Sequence, residues 1–246
     1  MKNEKRILIE SGADNIAKKG AQIFYQVASK SFNKRGRFVV AISGGSTPRD
    51  LHRTLSKEPF RSNIPWENTD IFWVDERCVP ENDPANNYGA AREDFLERVP
   101  IPEAQVHPMP GKGSPENGAL NYQQELQKMF KVRAGEFPVF DLVFLGIGTD
   151  GHTASLFPGQ SALKEKRKWV VAVKGGNPNV SRLTMTYPLL NRAESVVFIA
   201  SGREKAPILK AVLEDTKSRL PARMITPLTG GLTWLLDQEA ASLLSR

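Results

Sequence analysis

The sequence of 246 residues contains one cysteine, Cys78, so an intrachain disulfide is impossible and a small disulfide-stapled scaffold is excluded. No apolar run approaches the roughly 18 residues that a membrane-spanning helix needs. The apolar stretch after the charged residues 1–6 is too short for the core of a signal peptide. These absences predict a soluble protein of the cytoplasm that has no membrane partner.

Histidine is also scarce, with three residues, and neither His-x₃-His nor Cys-x₂-Cys spacing occurs. We therefore expect no zinc site and no other bound metal. Lys and Arg number 34 against 27 Asp and Glu, which gives a formal net charge of +7. Because the basic residues are scattered and form no blocks, we expect no nucleic-acid partner. The charge indicates either a well-solvated surface or a small anionic substrate.

Length and composition indicate one globular domain over residues 1–246. Hydrophobic residues make up 40% of the chain and charged residues 25%, which is ordinary for a folded domain and excludes disorder. No linker rich in Ser, Gly or Pro is long enough to separate two domains. We interpret residues 100–115, which contain several Pro and Gly, as a surface loop within this domain.

Continuous apolar runs that end in small residues indicate strands covered on both faces of a parallel sheet. The strongest runs are residues 37–43, 141–145 and 195–200, and weaker candidates for the same sheet are residues 70–74 and 169–173. Helical patterns occupy residues 12–33, 117–133, 203–214 and 233–244. This alternation predicts an α/β fold with three layers, α/β/α, around a doubly wound, mostly parallel, Rossmann-like sheet. Its ligand crevice is expected at the carboxyl ends of the strands.

A glycine-rich loop, residues 43–48, follows the first strong strand. Gly44 and Gly45 let the backbone approach an anion closely, and a helix start offers N–H groups to a phosphate. Thr47 suits the N-cap of this helix and Pro48 its first position. The predicted phosphate-binding residues are therefore Gly44, Gly45, Ser46 and Thr47. The loop lacks the Gly-Lys-Ser/Thr of a Walker motif, and a strand-to-helix turn with an ordinary cap is the alternative.

A second glycine-rich turn, residues 146–159, follows another strand. Its start matches G-x-G-x-x-G, but we reject a dinucleotide-binding loop because Pro158 and Gly159 interrupt the helix that such a loop needs. The turn presents Asp150 and His152, and a nearby carboxylate can fix the tautomer of an imidazole and raise its basicity. We predict that both are catalytic, while the remaining histidines, His52 and His107, are structural or surface residues.

Three cationic side chains are candidates for contacts with an anion. Arg77 follows Asp75 and Glu76 at a strand end, in a position to stabilise developing negative charge, although a surface ion-pair loop is the alternative. Arg182 lies between the predicted strands at residues 169–173 and 195–200. Lys205 falls in the first turn of a predicted helix, where a cation is unfavourable unless an anion is nearby. A serine nucleophile is not predicted, since no G-x-S-x-G segment occurs.

Together these segments resemble the 6-phosphogluconolactonase family, in the family's order and over about four fifths of the chain. The matching segments are SGGSTP, WVDER, NNYG, GIGTDGHTASLFPG, SRLTMT, SGREKA and TWLLD. The wider superfamily includes glucosamine-6-phosphate deaminases, which continue after the histidine toward Asn-Glu-Pro, where this chain has residues 153–158. Lactonases often carry Ser-Asn-Tyr where this chain has Asn86, Asn87 and Tyr88. Asn87 is thus matched, and a hydrogen-bonding role for Asn86 is not carried over.

The resemblance implies hydrolysis of 6-phospho-D-glucono-1,5-lactone to 6-phospho-D-gluconate in the oxidative pentose phosphate pathway. The substrate phosphate would bind residues 44–47, with Arg182 and Lys205 adding positive charge. His152 would take a proton from the attacking water, and Arg77 or backbone N–H groups of the second glycine-rich turn would stabilise the oxyanion.

The implied partner is a phosphorylated sugar lactone, with no metal or organic cofactor and with the protein a monomer or a weak homo-oligomer. Two alternatives stay open at this point. One is a sugar-phosphate deaminase or isomerase, a different reaction on the same scaffold, and the other is a non-catalytic sugar-phosphate sensor.

Overall fold

The computed structural model describes residues 5–133 and 135–245. Within these residues the strands are β1 (Lys5–Glu10), β2 (Phe38–Ile42), β3 (Thr69–Trp73), β4 (Asp75–Arg77), β5 (Val106–His107), β6 (Leu142–Leu145), β7 (Val170–Gly175), β8 (Val180–Met185), β9 (Ser195–Ala200) and β10 (Gly231–Asp237). The helices are α1 (Ala13–Arg35), α2 (Ser46–Leu55), α3 (Phe60–Asn63), α4 (Asn87–Asp94), α5 (Pro115–Phe130), α6 (Tyr187–Leu190) and α7 (Ala206–Leu213).

A parallel sheet in the order β1-β10-β9-β6-β2-β3-β5 forms the centre of the described structure. The three strongest predicted strands are β2, β6 and β9, and almost all of their residues are buried. Burial on both faces explains their continuous apolar sequences, and helices such as α1 pack against the sheet. The predicted α/β fold with a mostly parallel sheet is confirmed.

The middle of this sheet lies between β2 and β6, which are neighbours. From β2 the chain continues outward to β3 and β5, whereas from β6 it continues in the opposite direction to β9 and β10. Loops that leave the carboxyl ends of β2 and β6 therefore diverge and open a crevice, which is where doubly wound sheets bind ligands. Both predicted glycine-rich loops leave the sheet at this point.

A second sheet, with three antiparallel strands in the order β4-β8-β7, accompanies the parallel one among the described residues. The prediction that residues 169–173 join the parallel sheet is wrong, because β7 pairs with β8 from Val170 to Gly175. A short apolar run fits either sheet, and its partner β8 was not predicted as a strand. On its other side β8 pairs with β4, and this pairing joins the two segments that carry the candidate residues Arg77 and Arg182.

The predicted helix at residues 233–244 is wrong, because its first half is strand β10 and residues 238–243 form turns. β10 pairs with β1 on one side and β9 on the other. Trp234 stacks on Phe198 with 4.0 Å between ring centroids. A central strand of a covered sheet buries the side chains of both its faces, whereas a helix packed on the sheet buries one face. A continuous apolar segment therefore favours the strand.

The other predicted elements differ from the structure mainly at their ends. α1 stops at Gly36, which is left-handed and donates its N–H to the Phe32 carbonyl. Within the predicted helix at residues 203–214, a 3₁₀ turn at Arg203–Lys205 precedes α7. Residues 100–115 are not only loop, since β5 lies there at the edge of the sheet, and β1 was not predicted. Over the described part of the chain, no helix is long and apolar enough to cross a membrane.

Candidate active site

A cavity of about 200 Å³ opens at the carboxyl ends of the central strands. The loops after β2, β6 and β9 form its walls, together with β4, β8 and the start of α4. Its lining includes most of the site residues predicted from the sequence: Gly44, Gly45, Ser46, Thr47, Arg77, His152, Arg182 and Lys205. The remaining predicted residue, Asp150, contacts His152 directly. The fold thus brings all of these segments to one place.

His152 is held by the carboxylate of Asp150, with 2.5 Å between Nδ1 and Oδ1. The same oxygen accepts the backbone N–H of His152 at 3.1 Å. Burial raises the pKa of Asp150, but the two hydrogen bonds and the charge of His152 outweigh it and lower that pKa. Since an ionised carboxylate can only accept, Nδ1 carries the proton and Nε2 is left as the proton acceptor.

The turn that brings Asp150 and His152 together depends on Gly148. The N–H of Gly148 donates to the carbonyl of His152 at 2.9 Å, and its own carbonyl accepts the N–H of Gly151 at 2.9 Å. A Cβ at Gly148 would lie 2.1 Å from Nδ1 of His152. A side chain at this position would therefore displace the imidazole, which explains why the turn needs glycine here.

The N-terminus of α2 borders the cavity, since Ser46 and Thr47 are part of the lining. The prediction that Thr47 is the N-cap and Pro48 the first helical residue is wrong, because α2 begins at Ser46 with Gly45 as its N-cap. Gly45 has a φ of 105°, and Pro48 is accepted in the first turn because the N–H that it lacks has no helical partner there. Within the described chain no side chain caps α2, so its first N–H groups are available to an anion.

Ser43 is a cavity residue that the sequence analysis did not single out. Its side chain is buried, and no described residue forms a hydrogen bond with its Oγ. A buried hydroxyl without a partner costs free energy, so this one is suited to a bound ligand. Its position directly before Gly44, at the end of β2, was the signal available in the sequence.

Arg77 and Arg182 lie directly opposite each other in the antiparallel pair of β4 and β8, and both line the cavity. Arg182 donates to the carbonyls of Gly175 at 2.8 Å and Pro178 at 3.1 Å. Arg77 donates to the carbonyl of Ala85 at 2.6 Å, while its buried Nε has no partner among the described residues. Burial and the charge of Arg77 lower the pKa of Arg182. Like charges placed opposite each other repel, so an anion in the cavity would be stabilised.

Lys205, which follows β9 in the chain, lines the same cavity. The structure confirms in part that it lies in a first helical turn, since it ends the 3₁₀ turn and is the residue before α7. Asp75 is a buried carboxylate in the lining, and its Oδ2 accepts the hydroxyl of Ser155 at 2.6 Å. The cavity thus combines several cations with one buried carboxylate that is already hydrogen-bonded.

Asn86 and Asn87 begin α4 at the wall of the cavity. Asn86 does form a hydrogen bond, because its Oδ1 caps the helix by accepting the N–H of Gly89 at 2.7 Å. Asn87 lines the cavity, and its Nδ2 donates to the carbonyl of Asp75 at 2.9 Å. The role of Asn86 is therefore local to the helix, whereas Asn87 belongs to the site.

The other two histidines and Cys78 are not part of the lining. His52 is buried, and burial lowers its pKa to about 4. His107 lies between the carboxylates of Asp70 and Glu125. Cys78 is half-buried, and burial raises the pKa of its thiol. Across residues 5–133 and 135–245, no group of three or more His, Cys, Asp or Glu side chains is placed to hold a metal ion.

The crevice lies at the switch point of a doubly wound parallel sheet and is lined by two glycine-rich loops, which is where α/β proteins of this class bind small molecules. The sequence profile of glucosamine-6-phosphate isomerases/6-phosphogluconolactonase matches residues 11–234. The chain belongs to this family.

Individual relatives agree with that assignment. A 6-phosphogluconolactonase of Synechocystis sp. is 45% identical over 216 residues, which cover 86% of this chain and 87% of that protein. A 6-phosphogluconolactonase of Rattus norvegicus is 40% identical, covering 97% of this chain and 93% of that protein. The structure of 6-phosphogluconolactonase from Trypanosoma cruzi matches with a TM-score of 0.88 and 29% identity, covering 100% of this chain and 99% of that one.

Proposed function

We propose that this protein hydrolyses 6-phospho-D-glucono-1,5-lactone to 6-phospho-D-gluconate, in the oxidative pentose phosphate pathway. The relatives that are 40–45% identical bear the name of this activity. The observation that carries the proposal is that a histidine–carboxylate pair and the N-terminus of α2 border one cavity. Such a cavity can bind a phosphate at one end and activate water at the other.

The phosphate would bind at the start of α2. Unpaired N–H groups and the partial positive charge of a helix N-terminus favour an anion. Lys205 and Arg182 line the same cavity and add formal positive charge. Binding energy from this remote group would hold the reacting carbonyl in place, which is how non-reacting parts of a substrate assist catalysis.

His152 would act as the general base. Its Nε2 takes a proton from water while the water oxygen forms a bond to the lactone carbonyl carbon. The tetrahedral intermediate then collapses, the bond from this carbon to the ring oxygen breaks, and the ring oxygen receives the proton from His152. The product is the open-chain acid. General-base assistance of this kind gives about 10²–10⁴-fold, which suits an ester that already hydrolyses slowly in water.

The oxyanion of the intermediate needs hydrogen-bond donors. The Nε of Arg77, beside the cavity, has no hydrogen-bond partner in the part of the chain that the structure describes, and backbone N–H groups of the turn after β6 are the alternative donors. A guanidinium can stabilise developing charge strongly because it is ionised and desolvated.

A deaminase or isomerase reaction is supported less well by the residues after His152. Residues 153–158 contain no carboxylate. The first one that follows in the chain is Glu165, a half-buried residue outside the cavity lining. The chain therefore lacks, in this segment, a second carboxylate to work with the histidine. Ser155 instead binds Asp75 and keeps that carboxylate occupied.

One lactonase domain over residues 1–246, a cytoplasmic location, and a monomeric or weakly oligomeric state stay predictions from the sequence. Among the described residues, a cluster of buried hydrophobic side chains that includes residues of both sheets supports the first of these.

An assay of two reactions tests the proposed function. The lactone is generated by oxidising glucose 6-phosphate, and its disappearance is measured with and without the purified protein. In parallel, ammonia release from glucosamine 6-phosphate is measured. We expect lactone loss far above the spontaneous rate and no ammonia. Ammonia release would support the deaminase, and binding of 6-phosphogluconate with neither reaction would support a sensor.

Replacing His152 tests the mechanism. We expect His152→Ala to lower kcat by about 10²–10⁴-fold, because general-base help is lost, while binding of 6-phosphogluconate changes little. Asp150→Asn should lower kcat less, since the imidazole loses only the group that fixes its tautomer. Calorimetry with 6-phosphogluconate gives the affinity, and kcat comes from the lactone assay. Wild-type kcat in His152→Ala would remove this residue from the mechanism.

A further inference from the structure

Glu76 is a buried carboxylate that lies next to the site and takes no part in the mechanism above. It belongs to β4 and is 1% exposed. Its Oε1 accepts the backbone N–H groups of Arg77 at 2.7 Å and Asn87 at 2.8 Å. Its Oε2 accepts the backbone N–H of Tyr88 at 2.8 Å. One side chain thus ties the β4 backbone to the beginning of α4.

The contacts with α4 satisfy the end of that helix. Asn87 and Tyr88 are its first two residues, and their N–H groups have no partner within the helix. Glu76 accepts both, and Asn86 accepts the next N–H, that of Gly89. A negative charge is also favourable at a helix N-terminus. Glu76 therefore fixes where α4 begins and which way Asn87 faces.

Asn87 connects the start of α4 to the proposed phosphate-binding loop. Its Nδ2 is held by the carbonyl of Asp75, and its side chain lies against Gly44 so closely that a Cβ there would be 1.9 Å from Oδ1. Gly44 and Asn87 both line the cavity. A shift of α4 would therefore move the side chain of Asn87 and change the position of the backbone at Gly44, which leads into α2.

The burial of Glu76 has a cost that an uncharged side chain would avoid. Burial raises the pKa of Glu76 to about 7, although the three backbone N–H groups oppose that rise. Groups with strongly shifted pKa values are found most often at functional sites. The raised pKa also means that the protonated form, which can accept fewer hydrogen bonds, is populated near neutral pH.

We propose that Glu76 is a positioning residue: by holding Asn87 against Gly44 it sets the loop that binds the phosphate of the substrate. The inference rests on the proposed function. It assigns no chemical step to Glu76, since its oxygens are occupied by backbone N–H groups.

The test compares E76Q with the wild type. Glutamine keeps the shape but offers one acceptor oxygen, so it resembles the protonated acid. At pH 8.5 we expect E76Q to raise KM for the lactone, and Kd for 6-phosphogluconate, about tenfold. The change in kcat should stay within about threefold, because His152 and Asp150 lie on another loop. Glu76 contacts Arg77 only at its backbone N–H, and the guanidinium of Arg77 is held separately by the carbonyl of Ala85.

The pH dependence separates positioning from general destabilisation. As pH falls from 8.5 to 6, wild-type Glu76 becomes protonated, so the ratio of the E76Q Kd to the wild-type Kd should shrink toward one. The charged and titratable residues around Glu76 are Asp75, Arg77 and Cys78 of its own segment, Tyr88 of α4, Tyr122 of α5 and Arg182 of β8. They are the same in both proteins, as is the phosphate of the ligand, so the ratio reports Glu76. A ratio that stays constant over this range would contradict the proposal.

D141N is the matched control. Asp141 is also a buried carboxylate, and it accepts the backbone N–H of Val39 at 2.8 Å at the opposite end of the parallel strands. We expect D141N to lower Tm and leave KM and Kd unchanged. Equal changes of Kd in D141N and E76Q at the same loss of Tm would overturn the positioning role.

Two further measurements keep the outcome interpretable. If E76Q does not fold, N87A replaces it: weaker 6-phosphogluconate binding supports the link through Asn87, and wild-type binding overturns it. If the wild type does not hydrolyse the lactone, the proposed function fails. The positioning role is then judged by the affinity for inorganic phosphate, which E76Q must weaken for the inference to stand.

Discussion

Three histidines in this chain have three different environments, and the environment decides what each can do. His52 is buried with a pKa lowered by burial to about 4, so it stays neutral. His107 lies between two carboxylates and is held in its charged form. His152 borders the cavity and has one carboxylate partner, Asp150. It is therefore the histidine that the proposed mechanism uses as its general base.

Lys205 is the residue whose contribution to binding is simplest to isolate. If it contacts only the phosphate, it stabilises ground state and transition state equally, so Lys205→Ala should raise KM about 10–100-fold with less than about fivefold loss of kcat. Steady-state kinetics with the lactone measure both. Lys210→Ala, on the exposed side of α7, is the control and should leave KM unchanged. An equal drop in kcat and kcat/KM would instead place Lys205 at the reacting carbonyl.

At the scale of elements, the site depends on how closely α4 approaches the loop before α2. The contact is between the side chain of Asn87 and the backbone at Gly44. Position 44 requires glycine because the side chain of Asn87 leaves no room for a Cβ. The sequence predicts that both glycines of the loop let an anion approach the backbone, and for Gly44 the structure adds a neighbouring helix as a second reason for glycine.

Gly44→Ala tests this contact. A Cβ would lie 1.9 Å from Oδ1 of Asn87, so the loop or the helix must move. We expect a loss of roughly 1–3 kcal/mol in the free energy of unfolding, as for other overpacked sites, together with a higher KM. Urea denaturation and steady-state kinetics measure the two effects.

Two companion variants sharpen that result. Gly12→Ala is the control, since a Cβ at Gly12 meets no atom of residues 5–133 or 135–245 within 4 Å. In the double variant Gly44→Ala/Asn87→Ala the clash is absent. The double variant should therefore lose less free energy of unfolding than the two single variants lose when their losses are summed. Full additivity would mean that the Cβ at position 44 is accommodated without touching Asn87.

At the scale of the whole molecule, a second cluster of charged side chains, outside the cavity lining, lies at the edge of the parallel sheet. At that edge, His107 of β5 binds Glu125 of α5 through Nδ1 at 2.8 Å and Asp70 of β3 through Nε2 at 3.0 Å. Both ring nitrogens donate only when the imidazole is protonated. Burial lowers the pKa of His107, but the two carboxylates outweigh burial and raise the pKa to about 9.

This cluster predicts a pH-dependent stability. Because the folded pKa of about 9 exceeds the unfolded value of about 6.5, the stabilisation is complete below pH 6.5 and is lost as pH rises through 9. We expect the wild type to lose roughly 1–3 kcal/mol relative to His107→Gln over that range. Urea denaturation at several pH values measures the difference. Parallel stability curves for the two proteins would contradict the prediction.

Much of the fold was predictable because its central strands are buried on both faces. β2, β6 and β9 have continuous apolar sequences, which a strand covered on both faces explains best. Glycine follows β6 directly and follows β2 and β9 after one serine. The failures lie where an apolar segment is short or has two compatible partners. Residues 169–173 joined the antiparallel sheet, and the segment from Thr233 became a strand because β1 and β9 lie on either side of it.

The sequence by itself determined the kinds of residue at the site and the loops that carry them: the glycines before α2, the Asp150–His152 turn and three cations. Only the tertiary structure decided that Arg77 lies opposite Arg182 and that Asn87 lies against Gly44. The physical reason is that turns and strand ends follow from neighbours in the chain, whereas these contacts join segments far apart in sequence. Their register and distance depend on how sheets and helices pack, which no single segment encodes.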